Sequence, residues 1–179
     1  MSDKLNIGII VSSTRQGRVG RSVAEWVLEK ASTNADATYS VVDIRDFDLP
    51  FLGTTKDMTQ VAKWNEALST YDGFIFVVAE YNHSITGALK NALDSARDPW
   101  INKAAGIVSY GSAGGARASE HLRGILNELQ VADVRTHILL SLFTDFKDGV
   151  FKPSDAHDAN LVVLFEQVNA WSKALKSLR

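Results

Sequence analysis

From Phe74 to Asp94 the chain reads FIFVVAEYNHSITGALKNALD, and this stretch narrows the possible folds more than any other. It opens as an uninterrupted apolar run, Phe74-Ile75-Phe76-Val77-Val78, the pattern of a strand buried on both faces. The polar residues then come together, Glu80-Tyr81-Asn82-His83-Ser84, and a helix carrying Ala88, Leu89, Ala92 and Leu93 resumes at Gly87. A doubly buried strand belongs to a parallel sheet with helices on both faces, and such sheets bind ligands beyond the carboxyl ends of their strands. An aromatic ring, an amide and an imidazole at that place suit a flat ligand that hydrogen-bonds at its edge. An ordinary polar strand-to-helix connection is the plainer reading of the same residues.

The rest of the chain repeats the alternation. Leu5 to Val11 (LNIGIIV) reads as a first strand, followed by the loop Ser12–Gly20. A helix from Arg21 to Ala31 then brings Val23, Trp26, Val27 and Ala31 to one face. Thr38 to Ile44 is a second strand, and Arg45 to Asp57, with Pro50 and Gly53, an irregular connection. Val61, Trp64, Leu68 and Tyr71 are spaced for a second helix. A fourth strand, Ala104 to Tyr110, leads through the turn Gly111 to Gly115 into a helix carrying Leu122, Ile125, Leu126 and Leu129. A fifth strand lies within Val131 to Leu142, and Phe143 to Asp155 is again irregular. Leu161, Leu164, Phe165, Val168, Trp171, Leu175 and Leu178 define a long last helix.

With no repeat, low-complexity segment or linker, 179 residues make one domain, 1–179. The alternation predicts an α/β fold, a doubly wound parallel sheet of five strands. Right-handed crossovers fit those strands to the flavodoxin-like order 2-1-3-4-5, whose switch point lies between the first and third. The loops after those two strands, Ser12–Gly20 and Glu80–Ser84, then face each other across one crevice.

The first loop has the makings of an anion site. Ser12, Ser13 and Thr14 supply hydroxyls, Arg15 and Arg18 supply charge, and Gly17 and Gly20 allow close backbone approach. The loop also feeds a helix amino terminus, whose free N–H groups and dipole favour phosphate. Neither the Gly-Lys-Ser/Thr of a P-loop nor G-x-G-x-x-G occurs here, which leaves a phosphomonoester. A solvated basic turn with helix-capping hydroxyls is the alternative. The third loop, Ser109 to Gly115, lines the same crevice and offers backbone N–H and C=O groups to a ring edge, unless it is simply a turn. A planar ring tethered to a phosphate fits the three loops together, and flavin mononucleotide (FMN) is the candidate.

Composition removes other functions. The chain has no cysteine, which excludes disulfides, thiolate metal sites and Cys nucleophiles and permits an intracellular home. A net charge of -2 and a pI near 6.1 leave no electrostatic footprint for nucleic acid or an anionic membrane. Met1-Ser2-Asp3-Lys4 runs into the first strand without a signal-peptide pattern, and no apolar run approaches the ~20 residues of a membrane helix, so a cytoplasmic protein is expected. His83, His121, His137 and His157 lack metal-ligand spacing, and no metal site is expected. Ser112 sits in no G-x-S-x-G elbow. Trp26, Trp64 and Trp171 are expected in the core or a subunit interface. Trp100, after Asp98-Pro99, is expected in a loop within reach of a ligand or neighbouring subunit. Asp43, Asp46 and Asp48 read as a solvated acidic run.

Three segments carry a family resemblance: Ser13-Thr14-Arg15-Gln16-Gly17-Arg18, Glu80–Ser84 with Gly87–Asp94, and Tyr110-Gly111 with Gly114–Ala118. In order along the whole chain, they resemble the NADPH-dependent FMN reductases, flavodoxin-like quinone, azo-dye and chromate reductases. The resemblance implies an FMN phosphate on Ser13, Arg15, Arg18 and the Gly20 backbone, with Thr14 in the same loop. It implies a ring between Glu80, Tyr81, Asn82 and His83 on one side and Ser109, Tyr110 and Gly111 on the other. Many members have Pro where Ala79 and Thr86 stand, Trp at Ser95, and Ser and Asn at Arg18 and Gly20. Without the prolines the aromatic loop is expected to be less rigid.

The implied function is an FMN-dependent NAD(P)H oxidoreductase that reduces quinones, azo compounds, chromate or free flavin by a ping-pong mechanism. NADPH or NADH is the co-substrate, the acceptor is a small molecule, and no side-chain acid or base is required because the flavin carries the chemistry. Two rivals stand beside it: a flavodoxin-like electron carrier without NAD(P)H turnover, and a nucleotide or phosphosugar enzyme using the anion loop alone. The resemblance and the apolar last helix imply a homodimer or homotetramer, with the Arg45–Asp57 loop over the partner's flavin.

Overall fold

Five parallel strands form one sheet in the order β2-β1-β3-β4-β5. The structure is a computed structural model that describes residues 4–179. Met1 to Asp3, read as leading into the first strand, lie outside the described residues. The strands are β1 (Leu5–Val11), β2 (Ala37–Asp43), β3 (Gly73–Ala79), β4 (Lys103–Gly111) and β5 (Val131–Ser141). Every residue of β3 and β4 is buried, as their unbroken apolar runs require.

Helices cover both faces. On one face α1 (Gly20–Ala31) and α5 (Asp158–Lys176) pack Val23, Val27, Leu161, Leu164 and Val168 against Ile9, Val77 and Val108. On the other, α2 (Thr59–Ser69), α3 (Gly87–Asp94) and α4 (Ala116–Glu128) enclose Trp64, Leu89, Leu93 and Leu122 with Phe74, Phe76 and Ile107. The flavodoxin-like arrangement read from the alternation is the observed one.

Some expectations fail, each for a local reason. Trp100 does not reach a ligand. It is fully buried in a short 3-10 turn, Asp98–Trp100, edge-on to Phe74 at 5.0 Å, and its indole N–H donates to the Leu93 carbonyl at 3.2 Å. Asp-Pro signalled the turn correctly, but a turn lying over an apolar sheet face is core. Trp171 is 47% exposed in this chain, which removes the core branch of its reading and leaves the interface branch, because the stripe of α5 that meets the sheet ends at Val168 and Ser172. The Phe143–Asp155 connection is not wholly irregular: β6 (Phe146–Lys147) and β7 (Val150–Phe151) pair antiparallel around Asp148-Gly149. Both turn residues have positive φ, 51° and 76°, the geometry of a two-residue hairpin turn that Asp-Gly favours. Among the described residues no helix is long and apolar enough to cross a membrane, and no cluster of His, Asp and Glu suits a metal ion.

Candidate functional site

Register brings the loops together. Val11 at the end of β1 pairs with Asp43 on β2 and Val77 on β3, and Ala79 pairs with Tyr110 on β4. The carboxyl ends of the four strands therefore meet at one level, at the switch point.

Ser12 holds this junction. Its N–H donates to the Val77 carbonyl at 3.1 Å, its Oγ accepts the Ala79 N–H at 3.2 Å, and its carbonyl accepts the Thr86 hydroxyl at 2.8 Å. Thr86 also caps α3, accepting the Leu89 N–H at 3.1 Å, with φ at -69°, the value a proline would impose. At the two positions noted for their lack of proline, the Ala79 N–H and the Thr86 hydroxyl each bind Ser12.

The aromatic loop is a tight turn. Tyr81 and Ser84 exchange N–H···O bonds at 2.9 and 3.0 Å, and the central Asn82 and His83 have φ of 47° and 72°. Two consecutive non-glycine residues in the left-handed region store strain of the kind concentrated at ligand sites. Both are exposed, and His83 makes no side-chain hydrogen bond among the described residues. The turn is braced from α4 by His121, whose Nδ1 lies 2.6 Å from Ser84 Oγ. Tyr81 folds back so that its hydroxyl is 3.2 Å from the buried Ser13 Oγ.

Glu80 is tied to the start of α4. Its carboxylate takes the Arg117 guanidinium, with Nε at 2.7 Å, and the Arg117 and Ala118 N–H groups at the start of α4. Burial opposes its charge, but these donors outweigh burial and hold the carboxyl below its ordinary range. Ser109 is likewise committed: it is buried, and its hydroxyl donates to the Gly114 carbonyl at 2.9 Å. A side chain at Gly115, where φ is 75°, would sit 2.7 Å from Ser109 Cβ, so this turn needs its glycine. Burial, with Tyr81 nearby, pushes the Tyr110 phenol above its ordinary value against the opposing charges of Arg15 and Arg18, and it stays protonated.

Asp43 is a correction. It is 3% exposed, and it binds Arg18 Nη2 at 2.5 Å and the Arg45 N–H at 3.1 Å. The charge of Arg18 is therefore balanced from β2, while its Nη1 is buried without a partner among the described residues. Thr14 and Arg15 are exposed, and Arg15 makes no ion pair among the described residues.

These elements enclose a cavity of about 410 Å³, bounded by Arg15, Gly17, Tyr81, Tyr110, Gly111 and, unforeseen in the sequence, Phe146 with its hairpin. Of the residues predicted for the site, Arg15, Glu80, Tyr81, Tyr110 and Gly111 line it. Ser13, Thr14, Arg18, Gly20, Asn82, His83 and Ser109 lie in the loops that form it. A larger cavity of about 570 Å³, lined by Lys4, Asn34, Asp36 and Lys173, lies at the amino ends of β1 and β2, away from the switch point. The smaller one has the chemistry: an unpaired guanidinium, two phenols and glycine backbone in a volume typical of ligand sites. The unpartnered Arg18 nitrogen and the unpaired Arg15 fit a phosphate-bearing planar ligand.

A 2-1-3-4-5 parallel sheet with its loops opening on the switch point is a flavodoxin-like fold. Residues 5–145 match the family model for NADPH-dependent FMN reductase. The chain belongs to that family, an NAD(P)H-dependent oxidoreductase that uses FMN. An NAD(P)H-dependent FMN reductase of Nectria sp is 34% identical over 164 residues, covering 80% of this chain and 82% of its own. A 2-hydroxy-1,4-benzoquinone reductase of Burkholderia sp is 33% identical over 135 residues, 71% of this chain and 73% of its own. In fold the chain is similar to a flavoenzyme NAD(P)H:(acceptor) oxidoreductase from Paracoccus denitrificans, with a TM-score of 0.72 and 18% identity over 97% and 98% of the two chains.

Proposed function

We propose that this chain is a quinone reductase built as one FMN-binding domain, with FMN in the cavity between the Ser12–Gly20 loop, the Tyr81–Ser84 turn and the Gly111–Gly115 loop. The observation that carries the reading is that an unpaired guanidinium, two phenols and bare backbone converge on one cavity at the switch point. The quinone reductases among the relatives support the acceptor class, and reductases rather than carriers favour turnover with a nicotinamide.

FMN, when bound, supplies the redox chemistry, relaying a hydride equivalent from a reduced nicotinamide to the acceptor. The chain's own residues bind and orient. Arg15, the Thr14 hydroxyl and the first N–H groups of α1 hold the phosphate, with Arg18 kept in place by Asp43. Tyr110 and Tyr81 give apolar faces to the ring system, and the Asn82, His83 and Gly111 backbone meets its polar edge. Arg117 balances the Glu80 carboxylate, so no uncompensated anion opposes an electron-rich ring. None of these residues has to move a proton, which leaves one docking place serving donor and acceptor in turn. The exposed Phe51, Leu52 and Trp171 support a homodimer or homotetramer.

The test is a visible spectrum of the protein mixed with FMN and gel-filtered, then reduced anaerobically with NADPH or NADH. Retained yellow absorption that bleaches, followed by reoxidation with a benzoquinone and parallel initial-rate lines, is the expected result. Flavin that is not retained refutes the cavity assignment, and intersecting lines refute the shared docking place.

A further inference from the structure

The outer wall of the cavity is contributed by the β6–β7 hairpin, built from residues that follow the family-matched segment 5–145. Leu142, Phe146, Asp148 and Gly149 line the cavity from this side. The hairpin has little of its own to hold it, because a two-stranded ribbon of this length is not independently stable. Its place is set by two anchors.

One is aromatic. Phe146 packs on Phe151 at 5.1 Å and on Tyr110 at 6.1 Å, and Phe151 meets Trp26 of α1 edge-on at 5.5 Å. The other is polar and lies at the base. Asp145 is 2% exposed, and its carboxylate accepts from Ser141 N at 2.9 Å, Thr144 Oγ1 at 3.0 Å, Ser154 N at 3.4 Å and His157 Nε2 at 2.8 Å. Its carbonyl accepts the Lys152 N–H at 2.8 Å. One buried carboxylate thus ties the end of β5, both sides of the hairpin and the entry to α5 into a single knot.

We infer that His157 is a positioning residue for cofactor retention: through Asp145 it fixes the hairpin whose Phe146 closes the cavity. This rests on the FMN reading of that cavity. His157 touches no cavity-lining position itself, so its loss acts on how long the ligand is held, not on the reaction once it is held.

The experiment is an FMN titration by fluorescence quenching on the full chain, with dissociation rates by dilution, for His157→Leu, His157→Gln and Phe146→Ala. His157→Leu is expected to weaken FMN by at least about tenfold, through faster dissociation, when a charge-assisted hydrogen bond no longer holds the wall. Its kcat at saturating FMN stays that of the unaltered protein. His157→Gln, which keeps an N–H donor toward Asp145, restores most of the affinity, a rescue that a loss of packing alone would not give. Phe146→Ala removes the aromatic anchor beside Asp145 while leaving the bonds to that carboxylate in place, weakens FMN in the same way and keeps the inference testable if His157→Leu fails to fold. Wild-type affinity in both His157→Leu and Phe146→Ala overturns the inference while the FMN reading stands. Failure of the unaltered chain to bind FMN overturns both.

Discussion

Replacing Gly20 with alanine puts one methyl group where the Ser12–Gly20 loop, α1 and the cavity wall meet. A Cβ on Gly20 would lie 2.9 Å from the Tyr110 hydroxyl oxygen, 3.5 Å from Val11 Cγ1 and 3.6 Å from Tyr110 Cζ. Only the first contact is closer than packed atoms allow, so the clash is with one oxygen. That oxygen ends a ring that is 7% exposed and packed on Phe146, so it cannot swing aside freely. Overpacking of this kind costs roughly 1–3 kcal/mol. Alanine in the first turn of α1 returns up to about 1 kcal/mol of helix propensity, leaving a net loss of the order of 1–2 kcal/mol. Because Tyr110 bounds the cavity, its displacement should also weaken FMN by about tenfold. Tyr110→Phe removes the offending oxygen and leaves Cζ at 3.6 Å, an ordinary contact. The double variant Gly20→Ala/Tyr110→Phe should therefore be more stable, and bind FMN better, than the sum of the single changes, with a coupling of at least about 1 kcal/mol. Urea unfolding and FMN quenching on the four proteins measure it. A double variant no better than additive refutes the assignment of the clash.

Two further predictions concern the frame around the site. Lys103 is 4% exposed, donates to the Leu68 carbonyl at 2.9 Å and lies 5.2 Å over the Phe74 ring. Burial, helped by the Arg179 charge, pulls its pKa from 10.5 down to about 8. Between those values the unfolded chain still holds a proton that the folded chain has released. Stability attributable to Lys103 therefore rises with pH, by at most roughly 1.4 kcal/mol per pH unit. Urea titrations from neutral pH to pH 10.5 should show that rise in the unaltered protein relative to Lys103→Met, and a difference independent of pH refutes it. Thr86→Val removes the α3 cap and leaves the Ser12 carbonyl without its hydroxyl donor, costing about 2 kcal/mol. A Tm lower by roughly 4–8 °C is expected, and an unchanged Tm refutes the bracing role of Thr86.

What the sequence made legible was what has a period or a signature. Phe74–Val78 and Leu5–Val11 announce doubly buried strands, the alternation with helices leaves few topologies, and the switch-point rule then places three loops together before any coordinate is known. Partners within those loops have no such period. Nothing in Asp43-Ile44-Arg45-Asp46 distinguishes the acid that folds over Arg18 from those left in water, because that pairing joins β2 to the loop after β1. Glu80 lines the cavity, but its partner Arg117, across the third loop, has no signature in the sequence either. Trp100 shows the limit of turn signals, which mark a change of direction and not depth. The hairpin is a different failure: Asp148-Gly149 carries a recognisable two-residue turn signature, but strands of two residues are too short for alternation to register.

The fastening of Ser12 to Val77, Ala79 and Thr86 has a mechanical consequence. The Ser12–Gly20 loop hangs from β1 and the Tyr81 turn from β3, and with their roots joined at one residue they behave as the fixed jaw of a vice. Strain imposed by a ligand on one is shared at once with the other and with the first turn of α3. Compliance is then left to the opposite side, where the hairpin hangs from one buried carboxylate and one aromatic cluster. In hydrogen-exchange terms, the Ala79 amide should be among the slow ones and the Gly149 amide among the fast. On the FMN reading of the cavity, that difference should set the side from which the cofactor enters and leaves.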